Sequence, residues 1–314
     1  KGESASELIL EGTYLNYEEE YVVVVRNLRT GLIDGSNHYF CGDQSANYIE
    51  FFRFTTEETP DIIPAGYDEE HPVEIESAQN LYDIRYDPNG GKKYYVLTQD
   101  IDMNKLEETY KYPEGMTFSG VLDGNGHTIK NFTYESEAGT IESAALFQMI
   151  QHDVRNICCV KDLTFEDVQI GTENNPVSRS AIIAVGGFGR FTFSDVHVKT
   201  SSEEVFNQVY TTRDTTNISE FGSLVGRVDS PWYITVENCT VDNMIVTEND
   251  CSNVSLNTAG AFFGNTRNIG AANAASFEYA PAVKITGCAV SDLTFIINGT
   301  MGSAGGFAGV GGNL

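Results

Sequence analysis

Apolar and polar positions follow a short frame that recurs along the chain: apolar, any, turn-former, apolar, any, apolar. The copies are IKNFTY (129–134), VKDLTF (160–165), FSDVHV (193–198), the start of VENCTVDNMIV (236–246) and ITGCAV (285–290). The third residue is Asn131, Asp162, Asp195, Asn238 or Gly287. These residue types best tolerate a left-handed backbone conformation. Each copy therefore predicts a strand end, a one-residue bend and a new strand. The fourth and sixth residues alternate with polar ones, as in a strand with one buried face. Aligning the copies predicts two buried ladders, Phe132/Leu163/Val196/Cys239/Cys288 and Tyr134/Phe165/Val198/Val241/Val290. The copies start at 129, 160, 193, 236 and 285, so the period is loose and loops absorb the excess length.

A second, glycine-rich element with an apolar centre falls between these copies: AALFQM (144–149), AIIAVGG (181–187), GSLVG (222–226), GAFFG (260–264) and GFAGV (306–310). It reads as one short buried strand. With the bent double strand it makes three strands per repeat. A supersecondary unit that recurs this way is the signature of a solenoid, in which each unit buries its face on its neighbours. The fold expected is all-β: a right-handed parallel β-helix of about five rungs, one per copy.

GSLVG and GAFFG resemble the GLUG repeat (glycine, apolar, any, glycine) of bacterial surface and secreted proteins, and FSGVLDGNGHTI (118–129) resembles the first full rung of those proteins. The resemblance covers roughly residues 73–314. It implies an extracellular or cell-surface protein whose signal has been removed. It assigns no chemistry, because the repeat carries none.

Residues 1–62 lack the frame. YVVVVR (21–26) and YIEFFRF (48–54) predict strands of a small β-rich N-terminal unit. Residues 63–72, with Pro64 and Gly66 among acidic residues, read as a linker, and 73–314 as the solenoid. Ser77 is a favoured N-cap, with Leu81 and Ile84 on one face of a short capping helix. Residues 94–103 predict the first solenoid strands. Long loops are expected at 174–179, 203–219, 248–257 and 267–281, lining up into the natural binding face. The chain ends on a glycine-rich element (302–312) with no bent strand after it, which predicts a segment of a longer surface protein.

The 314 residues carry 45 Asp and Glu against 19 Lys and Arg, a formal net charge of −26. Such a surface repels nucleic acid and anionic lipid, whose phosphates call for clustered Lys and Arg. No apolar run approaches the roughly 18 residues of a membrane helix, so no membrane insertion is expected. The six cysteines, at 41, 158, 159, 239, 251 and 288, lie too far apart for a small disulfide scaffold. Cys239 and Cys288 fall in the first ladder and read as stacked core thiols.

Few residues suggest chemistry. Asp100, Asp102 and Asn104 form D-x-D-x-N, which opens a calcium loop but lacks its glycine and distal glutamate. On one strand the three share an outer face, either as a cation site or as a solvated surface. No other cofactor is expected. DGNGH (123–127) must be a turn; Asp123 and His127 are an acid/base pair only if the chain is an enzyme. Asp162 and Asp195 occupy equivalent positions in adjacent repeats, about 4.8 Å apart along a stack, near the spacing of a retaining glycosidase pair. The bend alone also explains them. Trp232 and Tyr233 are candidate sugar-stacking aromatics.

The leading reading is a non-catalytic adhesin or display stalk that binds carbohydrate or an extracellular protein through solenoid loops. The alternative is a polysaccharide lyase or glycoside hydrolase using Asp100, Asp102, Asp123, Asp162 and Asp195. Two outward carboxylates beside a Lys or Arg in one groove would favour it. A purely structural segment of a longer surface protein is the third reading.

Overall fold

The computed structural model describes residues 20–26, 29–31, 37–39, 49–55, 63–86, 90–107, 110, 116–138, 140, 142–152, 158–212, 219–251, 258–267, 282–299 and 303–310. The chain divides into two compact units, Lys1–Ile63 and Pro64–Leu314. In the first, Glu20–Arg26 pairs antiparallel with Ile49–Thr55, and Arg29–Gly31 pairs antiparallel with Asn37–Tyr39. The first pair is made by the two β-rich runs legible in the sequence.

The second unit is mostly strand. One large sheet and a second, four-stranded sheet are both paired in parallel, and among the described residues there is a single short α-helix. Val73, Tyr95, Leu122, Val160, Phe193, Val236 and Ile285 are successive partners across seven strands. Parallel neighbours need a crossover between them, so each return of the chain to this column adds a layer. Tyr95 through Val236 are buried, and Ile285, on the last strand, is 39% exposed.

Most layers bend twice, where one bend was expected. The first bend holds Asp162 (φ 50°), Asp195 (φ 54°), Asn238 (φ 54°) and Gly287 (φ 67°). The second holds Asn131 (φ 56°), Asp167 (φ 58°), Asn243 (φ 52°) and Asp292 (φ 49°). Residues 236–246 therefore contain the frame twice. The copy at 129–134 belongs to the second bend: Ile129 pairs with Phe165, and Tyr134 with Ile170. This corrects both ladders at their first member. One column runs Ile101/Ile129/Phe165/Val198/Val241/Val290. Tyr134 starts another, Tyr134/Ile170/Val209/Val246/Phe295. Phe132 is the layer-mate of Val168, since Phe132 O accepts from Gln169 N at 3.0 Å. The rest of the first ladder stands, with Leu163 opposite Val196 and the Cys239 amide donating to Cys288 Sγ at 3.4 Å. All members of both ladders are buried except Cys288 and Val290, which are partly buried.

The glycine-rich element is two strands, not one. Arg179–Ser180, Glu220–Gly222, Thr258–Gly260 and Ser303–Gly305 form the four-stranded sheet. After a sharp turn the chain re-enters the large sheet, where Phe147, Ala184, Val225, Phe263 and Ala308 are successive partners. A Cβ on Gly222 would overlap the Gly264 backbone nitrogen, and one on Gly264 would overlap the Gly226 carbonyl. The glycine spacing thus records backbones that meet at a corner with no room for side chains.

The predicted helix is Ala78–Asp83, with Ser77 Oγ accepting from Asn80 N at 3.1 Å. Ala78, Leu81, Tyr82 and Ile84 are buried in the core. The helix lies between two strands of the seven-strand column, Val73–Ile75 and Tyr94–Leu97, rather than ahead of the strands. Residues 64–71 fold onto this unit: Gly66 O accepts from Tyr94 N at 3.0 Å. The expected loop 203–219 contains the strand Asn207–Thr212, while 213–218, 252–257 and 268–281 lie outside the described residues.

Candidate functional site

Two groups of polar side chains stand on the outer faces. The first is built on the seven-strand column. Asp123 and Lys161 are register partners one layer apart, and Tyr94 precedes the partner of Leu122 by one residue. Residues this close to Leu122 and Val160 must point outward, because side chains alternate. The Tyr94 hydroxyl donates to Asp123 Oδ2 at 2.8 Å and to Glu69 Oε1 at 3.2 Å. Lys161 Nζ lies 3.0 Å from Asp123 Oδ2 and 3.3 Å from Glu69 Oε1. Asp123 Oδ1 accepts from Asn125 N at 2.8 Å, which ties the cluster to the 123–127 turn.

This cluster has the composition of a catalytic site, two carboxylates beside a lysine. Its protonation runs the other way. Burial, then the Asp123 carboxylate, pushes the Tyr94 phenol up to about 12 against the opposing pull of Lys161. Burial works against the Lys161 cation. Its hydrogen bonds to Tyr94 and Asp123 outweigh that and hold the ammonium well above the usual lysine range. A general base is effective with a pKa near the working pH. Tyr94 and Lys161 are both held protonated. The arrangement clips the 64–71 segment to the strands.

The remaining candidate carboxylates are also committed to the fold. Asp100 accepts from Thr128 N at 3.1 Å, faces Lys130 Nζ at 3.2 Å and lies 3.5 Å from His127 Nδ1. The Thr128 hydrogen bond, with Lys130 and His127, holds Asp100 below the usual carboxylate range. Asp102 accepts from Asn131 Nδ2 at 2.8 Å and is held low chiefly by that bond. It also caps the 3-10 turn Met103–Lys105 through Asn104 N. Asp100, Asp102 and Asn104 therefore do not share one strand face, since the strand is only Ile101–Asp102. Among the described residues no three His, Cys, Asp or Glu side chains are grouped to hold a metal ion. Asp162 and Asp195 both sit at first-bend positions with positive φ, and Asp195 Oδ2 accepts from Ser194 Oγ at 2.7 Å. Asp123 and His127 end up in different clusters. Tyr233 is 43% exposed, and the Trp232 side chain lies outside the described residues.

The second group is a cleft of about 440 Å³ that sequence reasoning missed. Its floor is Thr133, Gln169 and Gln208, outward residues in register on three successive layers. One end is closed by the bend residues Asn131 and Asp167, with Asn104 beside them. One wall is Glu204, Val205 and Phe206, from the long loop that replaces the second bend in one layer. Asn243, in the next layer, holds that loop: its Nδ2 donates to Val205 O at 2.6 Å and to Thr200 Oγ1 at 3.1 Å. Asp167 Oδ1 accepts from Ser201 N at 2.8 Å. Phe206 is left 41% exposed. The signal in the sequence was the extra length between Val198 and Asn207, eight residues where the neighbouring layers have two.

No family model and no curated protein matches the chain. Among solved structures, it is similar to a candidate immunoglobulin A1 protease from Bacteroides ovatus, at 14% identity, over 78% of this chain and 86% of that one, with a TM-score of 0.38. A likeness that loose lends no activity to this chain. Among the described residues no helix is long and apolar enough to cross a membrane.

Proposed function

We propose that residues 64–314 form a right-handed parallel β-helix of about five complete rungs, built on GLUG-type repeats. In this reading it serves a bacterium as a non-catalytic secreted or cell-surface protein, an adhesin or display stalk. The parallel columns support the helix: the Tyr134 column and the Phe147 column each continue through five layers. Strand–crossover–strand connections in a parallel sheet are right-handed almost without exception. The ligand, a carbohydrate or an extracellular protein, is received in the cleft over Thr133, Gln169 and Gln208.

The observation that carries the reading is the contrast between the two outer-face groups. The Tyr94–Asp123–Lys161 cluster spends its polar atoms on itself and is held protonated at Tyr94 and Lys161. In the cleft the Gln169 carboxamide has no partner among the described residues. A polysaccharide-degrading enzyme is the second reading. What favours it is the composition of that same cluster, Glu69 and Asp123 beside Lys161.

Surface labelling tests the display reading. An antibody to residues 64–314 is applied to intact cells that make the natural protein. Staining of intact cells is expected; staining only after permeabilisation would overturn it.

A further inference from the structure

The floor of the cleft has a regularity that no turn or core requirement explains. Thr133 pairs with Gln169, and Gln169 with Gln208, so one outward polar side chain is presented per layer. Stacked strands repeat at about 4.8 Å. The floor is therefore a row of hydrogen-bonding groups running perpendicular to the strands at that step. The Gln169 carboxamide has no partner among the described residues, which leaves two N–H donors and a carbonyl acceptor facing the cleft, while Gln208 Oε1 accepts from the Tyr210 hydroxyl at 3.3 Å and Thr133 Oγ1 donates to Asn131 O at 3.2 Å. Phe206 stands at the wall with an exposed ring.

We propose that this cleft binds an uncharged, β-linked oligosaccharide lying across the strands, with successive rings over Thr133, Gln169 and Gln208 and one ring against Phe206. An extended chain of equatorially linked pyranoses advances by a step similar to the layer spacing, so each ring meets the same kind of group. The Gln169 amide can donate to and accept from sugar hydroxyls, the Gln208 amide N–H groups can donate, and the Thr133 oxygen can accept. An aromatic face covers the C–H face of a pyranose, and Phe206 supplies one at the wall of an otherwise mostly polar cleft. The volume of about 440 Å³ falls within the roughly 300–1,000 Å³ of ligand pockets.

Charge narrows the class. Asp167 and Glu204 line the cleft, and the chain carries a net charge of −26. Uronates, sulfated glycans and phosphates are repelled. A peptide added as an extra strand is excluded, because the Gln169–Ile170 strand is already paired on both sides and strand addition requires a free edge. The proposal rests on the display reading only for meeting its ligand outside the cell.

The test is isothermal titration calorimetry of the whole chain with cellohexaose, chitohexaose and xylohexaose, alongside an oligogalacturonate of equal length. Binding of at least one uncharged hexamer is expected, with no heat from the anionic one. Gln169→Ala and Phe206→Ala should each weaken that binding by about tenfold while the thermal melting curve stays unchanged. Failure of all three uncharged hexamers would overturn the proposal. So would binding that survives both variants, or equal binding of oligogalacturonate. If a collagen or fibronectin fragment binds instead, and the same variants abolish it, the glycan assignment falls while the display reading stands.

Discussion

The side chain of Asn207 does the work of a missing backbone bend: its Oδ1 accepts a hydrogen bond from the Val168 amide at 2.9 Å. Its Nδ2 donates in the opposite direction, to Asp242 O at 3.0 Å in the next layer. Asn207 is fully buried, in a column whose other members are Phe132, Val168, Met244 and Leu293. In its layer the second bend gives way to the loop that walls the cleft. The carboxamide bridges the layers on either side of that interruption.

Asn207→Ala should therefore destabilise the fold by about 1–3 kcal/mol, the cost of leaving buried polar groups without partners. Asn207→Leu, which restores apolar volume but not the hydrogen bonds, should not recover the loss. Urea unfolding followed by circular dichroism checks both. A loss under about half a kcal/mol would place the Val168 amide elsewhere.

The bends give a second expectation. Asn238 has φ 54° and Gly287 φ 67° at the same place in adjacent layers. A left-handed conformation costs most side chains about 1–2 kcal/mol, so Asn238→Ala should lose about that much and Asn238→Gly almost nothing. Gly287→Ala should lose more than Asn238→Ala, because its Cβ would also overlap Asn238 Oδ1. Melting temperatures of the three variants give the order directly.

Glu220 is wholly buried, between the Arg179 guanidinium and Asn265 Nδ2, the latter at 2.8 Å. Removing one partner of a buried ion pair costs about 3–5 kcal/mol. Arg179→Met should fall at the low end of that range, because Arg179 is 28% exposed. Adding Glu220→Gln should recover part of the loss, since no charge is then left buried. Chemical unfolding of the single and double variants measures it.

Tyr94 should titrate far from neutrality. With its phenol pushed up to about 12 from an ordinary value of 10.0, the folded state favours the protonated form. That contribution to stability is complete below pH 10.0 and is lost as pH rises through about 12. The tyrosinate absorbance of the wild type minus that of Tyr94→Phe should show a midpoint near the raised value. A midpoint near neutrality would restore Tyr94 as a base and, with it, the enzyme reading.

The sequence carried most of the parallel stack because its turn residues are chemically constrained. Asp162, Asp195, Asn238 and Gly287 sit where φ is positive, and few residue types do so. The same constraint misled the alignment at Asn131. The two kinds of bend demand the same residue types and the same apolar flanks, so IKNFTY fitted the first bend as well as the second. Ser77 was legible as a cap because its hydroxyl meets a free helical N–H. The pairing of Asp100 with Lys130, and of Asp123 with Tyr94 and Lys161, was not legible, because layer register brings together residues some 30 positions apart. The cleft was hidden for a related reason. Gln169 and Gln208 look like ordinary outward residues until register aligns them, and Phe206 lies in a loop with no periodic signal.

The central claim is that this stack binds without cutting. The most direct test incubates the protein with a broad panel of polysaccharides, with and without calcium, and searches by mass spectrometry for released oligosaccharides while scoring retention on the same polymers in immobilised form. The account predicts retention on an uncharged β-linked polymer and no release from any member. Released oligosaccharides would contradict it, and their loss in Asp123→Asn or Lys161→Met would place the activity in the outer-face cluster.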